Sequence, residues 1–176
     1  MASMAPGLMS QRVTMPVTGS RLPTMKYLSR KAVRVVPTMS MPAALAALVV
    51  YDPEADAGVN VEEMTDAAES VATGEITQAI RDTKSEAGSI TAGDWIGLVR
   101  GDGVVTVSGS LVGAACALLD HLITRDREIV TIITGRDASI AHTDALLAWL
   151  GENRPDVQVE VHRGGQPLYP YLFGVE

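Results

Sequence analysis

A chain of 176 residues with 47% hydrophobic content is long enough to bury the core of one domain, or of one and a half. Its 4% aromatic content leaves the core to aliphatic side chains and offers no stacking platform for nucleic-acid bases. The formal charge of -7 is polarised: Arg12, Arg21, Lys26, Arg30, Lys31 and Arg34 all precede the first acid, Asp52, and the remainder holds all 21 carboxylates against eight of the 14 Lys and Arg. An acidic body repels phosphate backbones, the single Cys116 excludes an internal disulfide or a Cys-based zinc site, and no apolar run approaches the roughly 20 residues of a membrane span.

Residues 1–30 are rich in Met, Ser, Thr, Pro and Arg, contain no acid and lack apolar periodicity. A transit peptide, an expression-derived extension and a displaced reading frame share that appearance, and the abrupt change of composition at Lys31 favours the last two. Residues 32–36 are expected to form a short strand ended by Pro37. Pro42 then fits the first turn of a helix over 43–50, stopped by Asp52 and Pro53. A helix over 61–73 places Val61, Met64, Ala68 and Val71 on one stripe, with Gly74 as its expected C-cap. A one-sided strand follows over 75–82, with Ile76 and Ile80 on its apolar face.

Residues 95–99 and 104–107 are apolar runs flanking Arg100, Gly101, Asp102 and Gly103, the pattern of a hairpin. Ser110 opens a helix whose Leu111, Ala115, Leu118, Leu119 and Leu122 form a broad apolar face. The run 128–134 reads as a strand covered on both faces, then come a helix over 140–150 and a strand carrying Val157, Val159 and Val161. The alternation implies an α/β fold on a mixed, mainly parallel sheet with helices packed on it, a β-hairpin and a C-terminal edge strand. Three parts are expected: the extension 1–30, a remnant of a preceding α/β subdomain over 31–58, and an α/β domain over 59–176.

No complete catalytic apparatus is visible. There is no Gly-x-Ser-x-Gly elbow, Cys116 lies within an apolar helix face, and the histidines lack metal-ligand spacing. Ligands of open α/β sheets gather beyond the carboxyl ends of strands, where Arg136 and Asp137 would lie. Arg136 could hold an anion there; the competing reading is a solvated connection with Asp137 or Ser139 as helix cap. His162 has the polar parity of its strand, beside Arg163, and is either a ligand contact or a surface histidine. The tail Gly164, Gly165, Gln166, Pro167, Leu168, Tyr169, Pro170, Tyr171 permits a sharp reversal and brings two amphipathic tyrosines, so it is expected to be docked. Arg136, Asp137, His162, Arg163, Gly164, Gly165, Gln166, Tyr169 and Tyr171 are the candidate ligand- or partner-binding residues.

The Gly164-Gly165-Gln166-Pro167-Leu168-Tyr169 segment resembles the end of the fatty acid kinase A-subunit family, also described as dihydroxyacetone-kinase-like. Residues 33–38 (Val-Arg-Val-Val-Pro-Thr), 73–82 (Thr-Gly-Glu-Ile-Thr-Gln-Ala-Ile-Arg-Asp) and 93–97 (Gly-Asp-Trp-Ile-Gly) resemble it in the same order, so the likeness covers about 31–176. It implies a C-terminal domain related to acyl-binding DegV-like proteins. The family's ATP-binding kinase domain, with its Asp-Gly-Asp-Thr-Gly type magnesium motif, has no counterpart in the sequence. The resemblance therefore implies ATP and Mg for the intact family and no cofactor in this chain, and a cytoplasmic accessory domain that recruits an acyl-binding DegV-like partner for acyl phosphorylation. Self-association, small-anion binding at Arg136 and a non-functional fragment remain open alternatives.

Overall fold

The computed structural model describes residues 33–176; the extension 1–30 and Ala32, where the first strand was expected to start, lie outside the described residues. Residues 33–39 form no strand, because Val35 and Val36 meet no sheet edge to pair with. Helix α1 (Met41–Val49) starts where Ser40 accepts a hydrogen bond from Ala43 N at 3.2 Å, with Pro42 in the first turn. Helix α2 (Ala57–Ser70) begins four residues ahead of the expected start, since Asp56 caps it by accepting from Gly58 N at 2.7 Å. Asn60 is buried but satisfied, accepting from Asp52 N at 2.9 Å and donating to Asp52 O at 2.7 Å.

Gly74 is not a helix cap. The backbone is already extended at Val71, and Gly74 lies inside strand β1 (Ala72–Gln78). A Cβ there would stand 2.8 Å from Leu122 Cδ1 and 3.0 Å from Leu118 Cδ2, so its glycine permits a helix to approach the sheet. Ile80, expected on the inner face with Ile76, falls beyond the strand and is exposed, whereas Ile76 is fully buried. A small hairpin that the sequence pattern does not announce follows, β2 (Thr83–Ser85) with β3 (Gly88–Ile90). The anticipated hairpin forms from β4 (Trp95–Val99) and β5 (Gly103–Ser108), and Gly101 and Gly103 supply its positive φ angles of 94° and 77°.

Helix α3 (Leu111–Leu122) is capped by Ser110, which accepts from Gly113 N at 3.1 Å. Strand β6 (Ile129–Thr134), helix α4 (Ile140–Asn153), strand β7 (Gln158–Arg163) and strand β8 (Tyr171–Val175) complete the order. The fold is a mixed α/β sheet with helices packed on it, in the order β5-β4-β1-β8-β6-β7. Its strand directions differ from expectation. Only β6 and β7, joined through α4, run parallel; β1, β4, β5 and β8 are joined by antiparallel ladders. Nor is β8 an edge strand. It lies between β1 and β6, and all five of its residues are buried, because both neighbours contribute ladder partners.

Ile76, Val130, Ile132, Tyr171, Phe173 and Val175 face α3 and α4 and make the main core with Leu118, Leu119, Leu146 and Leu150. The alternating residues, including Glu75, Leu172 and Gly174, belong to the opposite face. There a Cβ on Gly174 would meet Pro42 Cβ at 2.8 Å, which brings α1 against β8. Residues 34–176 form one compact unit.

Candidate functional site

Because β1 and β6 are both antiparallel to β8, their carboxyl ends share one end of the sheet. The connection after β6 and the tail segment 164–170 meet there. Gly135 N donates to Pro170 O at 2.8 Å, and Arg136 N donates to Gln166 O at 2.9 Å. In the other direction Gly164 N and Gly165 N both donate to Thr134 O, at 3.0 and 2.9 Å. The Gln166 side chain donates through Nε2 to Ile133 O at 3.3 Å and Tyr169 O at 3.1 Å, while its Oε1 is buried without a partner. Thr77 Oγ1 donates to Leu168 O at 3.1 Å, tying the tail to β1 as well. The carbonyls of residues 166, 168, 169 and 170 are thus each engaged.

This stitching explains two glycines. A Cβ on Gly135 would collide with Tyr169 O and stand 2.9 Å from Gln166 O, both fixed backbone atoms. Gly165 takes φ 70°, as a reversal out of β7 requires. Leu168 takes φ 71°, the one non-glycine with positive φ among the described residues. For a leucine that conformation costs about 1–2 kcal/mol, and it persists because the surrounding hydrogen bonds over-determine it. Its side chain is 73% exposed.

The nine candidates separate in space. Arg136, Asp137, Arg163, Gly164 and Gly165 are exposed at this end, and Gln166 is half-buried beneath them. Tyr169 is half-buried, lining with Gln166 a cavity of about 480 Å³ on the sheet face that carries Glu75, Leu98 and Leu172. His162 points to that same face but farther along the sheet edge, where its Nε2 lies 3.4 Å from Glu160 Oε2, and it lines a different cavity with Pro42 and Leu45. Tyr171 belongs to the core. It is fully buried, stacks on Phe173 with ring centroids 5.9 Å apart, and shares a 2.9 Å hydrogen bond with the Thr143 hydroxyl. Burial pushes the Tyr171 phenol up, partly offset by the Thr143 hydroxyl.

The connection itself is capped by Ser139, which accepts from His142 N at 3.1 Å, so Asp137 is not the cap of α4. Cys116 is half-buried against the core, and burial raises its thiol. Three residues of the site were not singled out by the sequence pattern: Leu168, Thr77 and Glu75. Burial raises the Glu75 carboxyl above its ordinary value. No sequence signal marks a leucine for positive φ; the alternation of β1 does place Glu75 and Thr77 on one face, but not which elements cover it. Among the described residues no group of three or more His, Cys, Asp or Glu is placed to hold a metal ion, and no helix is long and apolar enough to cross a membrane.

The family model described as fatty acid kinase A-subunit-like, C-terminal, matches residues 23–176. An uncharacterized protein of Staphylococcus aureus (strain bovine RF122 / ET3-1) is 40% identical over 142 residues, which cover 81% of this chain and 26% of that protein. The same figures hold for an uncharacterized protein of Staphylococcus aureus (strain USA300). The chain therefore spans about a quarter of the length of these curated relatives. The crystal structure of the dihydroxyacetone kinase from C. freundii in complex with AMP-PNP and Mg2+ matches with TM-score 0.50 and 11% identity, covering 76% of this chain and 28% of that one. At that identity the likeness is one of fold.

Proposed function

Since the chain belongs to the fatty acid kinase A-subunit-like family through its C-terminal domain, we propose that it is the accessory, partner-docking domain of a fatty acid kinase. It recruits an acyl-binding DegV-like protein, so that an ATP-dependent kinase domain can phosphorylate the acyl carboxylate. The cytoplasm is the compartment this reading implies. The observation that carries it is the tail loop, whose carbonyls are tied down while Leu168 and Arg163 are left facing outward. A loop held that firmly loses little conformational entropy on meeting a partner.

Nucleotide and magnesium belong, on this reading, to the ATP-binding kinase domain of the intact family. The donor set needed for magnesium, oxygen ligands from converging carboxylates, does not come together among the described residues. No step through either group is assigned to these side chains. Their part is to hold the partner in place.

The anion reading at Arg136 is the weaker one for a specific reason. The backbone N–H groups of Gly135 and Arg136 already donate to Pro170 O and Gln166 O, so an anion beside Arg136 would be left to the exposed guanidinium and the first turn of α4. Isothermal titration separates the two readings. Docking predicts a stoichiometric complex with a purified acyl-binding DegV-like protein and no heat with ATP, inorganic phosphate or free fatty acid. Phosphate binding without protein binding would reverse the choice.

A further inference from the structure

Glu75 is the one charged residue in the four interior strands β4, β1, β8 and β6. It stands in register between Leu98 of β4 and Leu172 of β8, and cross-strand partners on one face have Cβ atoms about 4.5–5.5 Å apart. Pro42, at the start of α1, comes down on the same face over Gly174, two residues beyond Leu172. With Met41 and Tyr169 these residues enclose the cavity of about 480 Å³. Sites for small organic molecules have volumes of about 300–1,000 Å³, apolar walls and a few placed polar groups.

A carboxylate set between leucines keeps its charge at a cost unless it is paired or hydrogen-bonded. Among the described residues Glu75 has no ion-pair partner, and burial raises its carboxyl with neither a hydrogen bond nor a cation offsetting the effect. Gln166 lines the same cavity, but its Nε2 already donates to Ile133 O and Tyr169 O. Arg100 is the other charged residue of the lining; it is exposed at the turn between β4 and β5, where water screens it, and it makes no ion pair. Glu75 has therefore given up part of its water and received no partner in return. Folding alone does not call for a carboxylate at this position, where a third apolar residue would continue the row of Leu98 and Leu172.

We infer that this cavity is a binding site for a small amphipathic amine, whose ammonium group donates to the Glu75 carboxylate while its apolar body lies against Leu98, Leu172 and Pro42. An ammonium supplies the missing partner as a charge-assisted hydrogen bond, the strong kind. The apolar walls then add affinity in proportion to the length of hydrocarbon they cover. A carboxylate ligand fits less well, because its charge would repel Glu75 and only the water-screened Arg100 would attract it.

The test titrates the whole chain with n-octylamine, ethylamine and octanoate by isothermal calorimetry at neutral pH, with no partner protein present. Octylamine is expected to bind one to one, and ethylamine, which keeps the ammonium but lacks the tail, more than about tenfold weaker. Glu75→Gln, nearly the same in shape, is expected to weaken octylamine about tenfold or more with far-UV circular dichroism unchanged. Glu160→Gln, a carboxylate lining a different apolar cavity, is the comparison for general attraction to an acidic domain and should leave the octylamine Kd unchanged. Octylamine binding that Glu75→Gln spares, or that Glu160→Gln weakens as much, overturns the inference, as does no octylamine binding at all. Octanoate binding as tight as that of octylamine and removed by Arg100→Ala makes this an anion site at the rim, and overturns it too.

Discussion

Replacing Gly135 by alanine tests whether the tail is stitched to the sheet as described. The added Cβ would occupy the place of Tyr169 O and come within 2.9 Å of Gln166 O. Both are backbone oxygens, so no side-chain rotation relieves the overlap, and the tail must move away. Doing so breaks Gly135 N to Pro170 O and Arg136 N to Gln166 O, and strains the Gln166 Nε2 bond to Tyr169 O. With a net worth of about 0.5–1.5 kcal/mol for each hydrogen bond, the loss comes to about 2–3 kcal/mol. For a domain of this size that is a fall in Tm of about 5–10 °C. Gly109→Ala is the matched control: a Cβ there meets nothing within 4 Å, and the expected change is within about 0.5 kcal/mol. Urea unfolding followed by circular dichroism measures both. A Gly135→Ala protein as stable as the Gly109→Ala one would refute the stitched loop and, with it, the pre-formed position of Leu168.

Three further outcomes follow from the core and the sheet face. Gly74→Ala forces a methyl against Leu118 and Leu122 and should cost about 1–3 kcal/mol by overpacking, read from the urea midpoint. Tyr171→Phe removes the hydrogen bond to Thr143 but leaves the Thr143 hydroxyl donating to Ser139 O at 3.1 Å, so a loss of about 1 kcal/mol is expected and should vanish in a Thr143→Val background. Glu75→Gln should stabilise at neutral pH. Burial raises the Glu75 carboxyl in the folded state, so its ionised form is disfavoured there. The wild type is relieved of that penalty below the unfolded-state value and feels it increasingly as pH rises through the raised folded value. The advantage of Glu75→Gln in thermal unfolding should therefore be larger at pH 7 than at pH 4, and an equal advantage at both would contradict the assignment.

Helix α3 was readable because Ser110 is a good cap and the leucines that follow repeat with helical spacing, so local chemistry and burial agree. The same holds for the β4–β5 hairpin, whose Gly101 and Gly103 have the backbone angles their position demands. What could not be read was set at long range. Gly74 has the look of a helix cap because glycine ends many helices, yet its role depends on Leu118 and Leu122, more than forty residues away in the chain. The place of β8 inside the sheet is likewise decided by two strands distant in sequence, and its short run of Tyr171, Leu172, Phe173, Gly174 and Val175 carries no mark of being central. At the candidate site the tail glycines were legible as a reversal. The strained Leu168 was not, because what holds it is a set of hydrogen bonds from β1 and β6 rather than its own propensity.

The interior position of β8 has a consequence for how the sheet is assembled. The group β5, β4 and β1 and the pair β6 and β7 have no direct ladder between them; each touches only β8. The strand that joins them is five residues long and last in the described order, so completing the sheet depends on pairings between segments distant in sequence, a topology of high contact order. The same geometry makes the domain separable at that seam. A polypeptide ending before residue 170 and a peptide supplying 170–176 should reconstitute the sheet by strand insertion, so that the tail loop left on the polypeptide is set in place by a strand supplied from outside.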